Sequence, residues 1–193
     1  MIMGVSGKMG KVFVFRQSRG QTVLCSRPKK RESLSEKQES VKDRFLDAAN
    51  YARAQMKDAA SKAAYAERVT ESLPSAYAVA VTDYLKGPKV KLVDTSAYKG
   101  NVGDKIVILA TDNFKVMEVT VEIRSATDVL IEQGAAIPDP VSLQSWTYAA
   151  TQASAPLNGT KIIVRAKDKP GNMTAKETVM GVQPPGDPQS HGL

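Results

Sequence analysis

Apolar and polar positions alternate in two short runs near the start of the chain. Lys11 to Arg16 sets Val-Phe-Val-Phe between basic ends, and Gln21 to Ser26 carries Val23 and Leu24 between polar neighbours. Gln17-Ser18-Arg19-Gly20 separates them, with Gly20 where a turn calls for positive φ, so the pattern predicts a β-hairpin. Gly4, Gly7 and Gly10 precede it and make the extreme N-terminus flexible unless a neighbour holds it.

The period then changes to that of a helix. Ser35 and Gln38 form a capping-box pattern, after which Val41, Phe45, Ala48, Ala52, Met56 and Ala59 recur at three and four residues in one narrow apolar stripe. The Ala-rich stretch from Ala59 to Val69 continues or restarts this helix, and Leu73-Pro74 interrupts it. Ser75 caps a further short helix over residues 76–85, with Lys86 in its last turn, Gly87 at the C′ position and Pro88 beyond.

From Val90 onward, short β-rich runs recur every 8 to 15 residues or so, with Gly, Asn, Asp and Pro between them. Strands are predicted near 90–94, 105–111, 115–124, 128–134, 143–151, 160–167 and 173–181, seven in all, as in a small antiparallel sandwich. Met117, Val119, Val121 and Ile123 alternate with Glu118, Thr120, Glu122 and Arg124, which predicts one inward face and one solvated face. Trp146 and Tyr148 share a face and are expected in the core. The division is therefore a basic hairpin arm (1–31), a helical segment (32–89), a β-sandwich (90–182) and a flexible tail (183–193).

Composition fits globular domains: the chain has 193 residues, of which 42% are hydrophobic and 24% charged. No run approaches the ~18 apolar residues of a spanning helix. Lys8 and Lys11 interrupt any apolar leader segment, so no export signal is expected, and the single Cys25 excludes an internal disulfide. The charge is placed unevenly. The formal net charge is +7, and the first 31 residues hold Lys8, Lys11, Arg16, Arg19, Arg27, Lys29, Lys30 and Arg31 without one acidic residue. Such an arm suits a polyanion or an acidic protein surface.

Catalytic chemistry is sparse. The lone histidine, His191, lies in a Pro- and Gly-rich tail, Cys25 has no histidine near it in sequence, and neither a phosphate-binding loop nor a Cys/His zinc spacing is present. Glu118 and Glu122 lie on one strand face, where a solvated surface is the plain explanation against a glycosidase pair. Asp112 and Asp168 fall in turns; two such carboxylates are able to hold Ca²⁺, but Asx-turn capping accounts for both. No enzyme, cofactor or metal is expected.

Gly103 to Asp112, Val119 to Ile123, Trp146-Thr147-Tyr148 and Ala166-Lys167-Asp168-Lys169-Pro170-Gly171-Asn172 together resemble bacterial immunoglobulin-like domains, over roughly residues 90–182. The resemblance implies a seven-stranded immunoglobulin-like sandwich, here without the cysteine pair of antibody domains. Ser26-Arg27-Pro28-Lys29, Ser35-Glu36-Lys37-Gln38 and Arg44-Phe45 resemble a class of uncharacterised Bacteroidetes and phage proteins, which implies architecture and a bacterial or bacteriophage origin but no activity.

The expectation is a non-enzymatic protein, mainly β with α, in which residues 1–89 anchor the chain to other subunits of a virion-like or cytoplasmic assembly and the sandwich projects. A nucleic-acid-associated protein gripping phosphates with the basic hairpin is the alternative. A carbohydrate-binding module would use the loops at 112–114 and 168–172.

Overall fold

The computed structural model describes residues 6–18, 21–27, 35–154 and 156–181, and the chain divides into two units, 1–42 and 43–193. The predicted hairpin, the tail and His191 are affected differently by this. The hairpin is described apart from Arg19 and Gly20, whereas the tail from residue 182, with His191, lies outside the described residues.

In the first unit, β1 (Gly7–Met9), β2 (Phe13–Ser18) and β3 (Gln21–Ser26) form an antiparallel sheet in the order β1-β2-β3. The expected hairpin is present, but its first strand starts at Phe13 rather than Lys11, and a third strand is added. Gly10, at φ +65°, helps turn β1 into β2, and Gly7 is held opposite Phe15. Arg27 N donates to Val12 O at 2.6 Å, extending the sheet past β3. None of the described residues of this sheet is buried.

The helix α1 (Glu36–Lys57) spans the boundary between the units. At its start Ser35 N donates to Gln38 Oε1 at 3.2 Å, the returning half of the predicted capping box. Its apolar stripe is divided. Ala48 and Ala52 are buried and Met56 is half-buried, but Val41, Phe45 and Ala59 are exposed. At Asp58 the helix stops, because its carboxylate caps α2 (Ala59–Ala66) by accepting from Ser61 N at 2.8 Å. Ser75 caps α3 (Ala76–Leu85) by accepting from Ala78 N at 3.2 Å. Ala48, Ala52, Tyr65, Val79, Ala80 and Val81 form the helical core, and Phe114 reaches it from the sheets.

Gly87 has a different role from the one expected. Lys86 ends α3 in extended conformation (φ −123°, ψ 113°) and Gly87 has no positive φ, so no left-handed cap forms. Space is the reason for the glycine: a Cβ there would sit 3.2 Å from Asn172 Cβ.

The rest of the second unit is β4 (Lys89–Asp94), β5 (Lys105–Thr111), β6 (Val116–Arg124), β7 (Leu130–Ala135), β8 (Ile137–Pro138), β9 (Ser145–Ala149), β10 (Lys161–Asp168) and β11 (Met173–Val179). They make two four-stranded antiparallel sheets, ordered β4-β5-β9-β8 and β11-β10-β6-β7. One apolar core unites them in a sandwich-like arrangement: Ile106, Ile108, Trp146 and Tyr148 come from one sheet, and Val119, Val121, Ile123, Ile162 and Val164 from the other. Trp146 and Tyr148 are buried as their shared face predicts. The strand count is eight in place of seven, the addition being the two-residue edge strand that ends in Pro138. With the N-terminal sheet, the described chain is mainly β with three helices.

Alternation along β6 holds only in part. Val119, Val121 and Ile123 are buried, yet Met117 is exposed and Val116 buried. A register shift explains the swap: Lys167 pairs with Glu118 and Asp168 with Val116, so Met117 has no partner on β10 and side-chain direction is reset there.

Candidate functional sites

Lys8, Lys11, Arg16 and Arg27 are exposed on the N-terminal sheet or its ends, while Arg19, Lys29, Lys30 and Arg31 lie outside the described residues. Register sorts the strands into two faces. Lys8, Val14 and Cys25 lie opposite one another, as do Arg16 and Val23, so these five share a face. The other face has Met9 and Ser26 flanking Phe13, and Gly7 and Leu24 flanking Phe15. Met9 is 54%, Phe13 43% and Leu24 50% exposed, so three large apolar side chains on one face stay in water. Among the described residues, no carboxylate forms an ion pair with the four basic side chains. One face thus exposes Met9, Phe13 and Leu24, and the other mixes Lys8 and Arg16 with Val14, Val23 and Cys25.

A second constellation lies inside the larger unit. Asp112, in the turn after β5, accepts Phe114 N at 2.9 Å and Lys115 N at 3.0 Å on Oδ2. Asp168, at the end of β10, accepts Gly171 N at 2.9 Å and Asn172 N at 2.6 Å on Oδ1. Both therefore cap their turns as the sequence predicts. The structure adds Asp83 from α3, and one oxygen from each of the three lies within 4.8 Å of the others. Asp83 is the only charged residue in the helix AYAVAVTDYL, which is the signal that would have found it.

Asp83 and Asp168 are fully or almost fully buried. Tyr65 donates its hydroxyl to Asp83 Oδ2 at 2.6 Å and lies 2.9 Å, hydroxyl to hydroxyl, from Tyr51. Asp83 Oδ1 has no hydrogen-bond partner. Burial pushes the Asp83 carboxyl up to about 7; the Tyr65 hydrogen bond opposes this, and the charges of Asp112 and Asp168 add to it. Burial also raises Asp168, against the hydrogen bonds from Asn172 and Gly171. Tyr65 is raised, first by burial and then by its bond to Asp83.

The loops at this end are fastened to the helices. Lys169 Nζ donates to Ser61 Oγ at 2.8 Å and lies 4.8 Å from the Tyr65 ring centre and 5.6 Å from that of Phe114. Asn172 Nδ2 donates to Tyr84 O at 3.1 Å and Asp168 Oδ2 at 2.8 Å. The loops considered for carbohydrate binding thus hold the helical layer against the sheets.

Glu118 and Glu122 do not form an exposed carboxylate pair. Glu118 is exposed, but Glu122 is buried between Arg165 and Arg124, which both donate to it and hold its carboxyl below the usual range. Glu132, another buried carboxylate that the alternation did not single out, accepts Tyr148 Oη at 2.9 Å, Thr151 N at 2.7 Å and Thr151 Oγ1 at 2.6 Å.

No family model matches the chain, and no curated protein matches it. Among solved structures it is similar to CopC from Methylosinus trichosporium OB3b, with 13% identity over 47% of this chain and 87% of that one. The TM-score is 0.35, a likeness too distant to bear on what this chain does.

Proposed function

We propose that this chain is a non-enzymatic subunit of a larger protein assembly, docked through its N-terminal sheet. The observation that carries this reading is the sheet's apolar face: Met9, Phe13 and Leu24 are exposed, and the sheet buries no described residue. A three-stranded sheet without a covered apolar face is marginal in water, so a partner surface that covers it would contribute both stability and affinity. Charge selects the partner. A second copy would bring eight basic side chains against eight more, whereas a different subunit with an apolar patch ringed by carboxylates complements both faces.

In this reading residues 90–182 are an immunoglobulin-like module, with β8 as an addition to the expected seven strands, and serve as the exposed part of the subunit. A phage or phage-like particle is the proposed setting, by analogy of modular layout. Nucleic-acid binding is the competing outcome, and the apolar face argues against it because phosphate contacts leave that face uncovered. The test is recovery of the native chain from its source, with light scattering and mass spectrometry. Recovery as a stoichiometric part of a large protein particle supports the proposal, and recovery bound to nucleic acid with steeply salt-dependent affinity overturns it.

A further inference from the structure

We propose that Asp83, Asp112 and Asp168 bind a hard divalent cation, of which Ca²⁺ is the best fit, pinning the helical layer to the sheets. The three carboxylates come from α3, the turn after β5 and the end of β10, so one ion would join elements far apart in sequence. Turn capping explains Asp112 Oδ2 and Asp168 Oδ1. It does not explain Asp83, a fully buried acid brought from a separate helix to the other two, with an oxygen that no donor reaches.

A cation would complement the charge of the trio. Among the described residues, no Lys or Arg forms an ion pair with any of the three. The nearby Lys169 spends its ammonium on Ser61 and the Tyr65 and Phe114 rings. Donors to the trio are otherwise neutral: Tyr65, turn amides and Asn172. A proton on Asp83 relieves part of the repulsion among these buried acids, and a bound cation would take that proton's place and offset the carboxylates more fully.

Donor chemistry sets the class of ion. The three carboxylates are an oxygen-only set, with no imidazole or thiolate among the described residues grouped with them, and Asn172 turns its Nδ2 donor to Asp168 and Tyr84 O beside them. Such sets favour Ca²⁺ or Mg²⁺, and Ca²⁺ tolerates the irregular geometry of turns better. Asp112 is only half-buried, so the trio is not sealed from solvent on its side.

The experiment uses the full-length chain, stripped with chelator and dialysed, then titrated with CaCl₂ and separately MgCl₂ by calorimetry and thermal melting. Tb³⁺ is a further probe, because Tyr65 lies on Asp83 and would sensitise emission from an ion bound there. One ion per chain is expected with at least one of the two salts, with a rise in melting temperature of several degrees and Tb³⁺ emission that Ca²⁺ displaces. Asp83→Asn should abolish all three. Asp112→Asn keeps its turn acceptor and carries the test should Asp83→Asn fold poorly. Absence of binding in the unsubstituted chain, or binding retained in Asp112→Asn and in folded Asp83→Asn, overturns the proposal.

Discussion

The Tyr65 hydroxyl lies 2.6 Å from Asp83 Oδ2 and is its hydrogen-bond donor, in the buried space where α2, α3 and the Phe114 turn meet. Removing that donor isolates a buried carboxylate whose other oxygen has no partner. Tyr65→Phe keeps the ring and its packing on Phe114, whose centres are 4.2 Å apart, so the loss is that of the hydroxyl alone. Urea unfolding should show destabilisation by about 1–3 kcal/mol. An unchanged midpoint would mean that Tyr65 does not support Asp83.

Asn172 should be the second fastening. Its amide joins Tyr84 O of α3 to Asp168 of β10, beside a glycine that leaves room for it. Asn172→Ala should cost about 1–2 kcal/mol and raise amide exchange in α3 ahead of the β-sheet core. Exchange that rises evenly over the whole unit would contradict a local fastening.

Glu122 gives a pH dependence whose sign follows from its partners. Arg165 and Arg124 hold its native pKa below the unfolded value, so the native state binds fewer protons and the pair stabilises the fold above the unfolded carboxyl range, about 4.3. That contribution is lost as pH falls through the native value. Both guanidiniums are about one-third exposed, which limits the effect to about 1–3 kcal/mol at neutral pH. Glu122→Gln should therefore destabilise at pH 7 and flatten the acid limb of a stability-against-pH curve. A parallel downward shift of the curve would show that the charge plays no part.

Apolar side chains on the N-terminal sheet should matter more to assembly than to folding of the larger unit. Phe13→Asp or Leu24→Asp in the full chain should leave its melting temperature within about a degree, since surface substitutions usually stay within about 0.5 kcal/mol. The same change should abolish incorporation into the particle. A fall in melting temperature without loss of incorporation would reverse that assignment.

Local rules carried much of the fold. Gln38, Ser75 and the Asx turns at Asp112 and Asp168 act at their predicted positions because each is a short-range hydrogen bond. β1 was hidden because Gly7-Lys8-Met9 has little β pattern and is held only by pairing with β2. β8 was hidden because two residues with a proline give no period at all. Exposed Phe45 and exposed Met117 show where periodicity misleads: one lies on the part of α1 without a covering surface, the other at a register shift. The basic arm was legible from composition, its two-faced character from register alone. Asp83 was missed because its meaning lies in its spatial neighbours, which are 29 and 85 residues away along the chain.

The most direct measurement is hydrogen exchange of the purified full-length chain, with light scattering on the same sample and on the native particle. Fast exchange of the amides at 7–26 in the free chain, with strong protection of the same amides in the particle, is the predicted result. A monomer in which those strands are already protected without a partner would contradict the anchoring role of the N-terminal sheet.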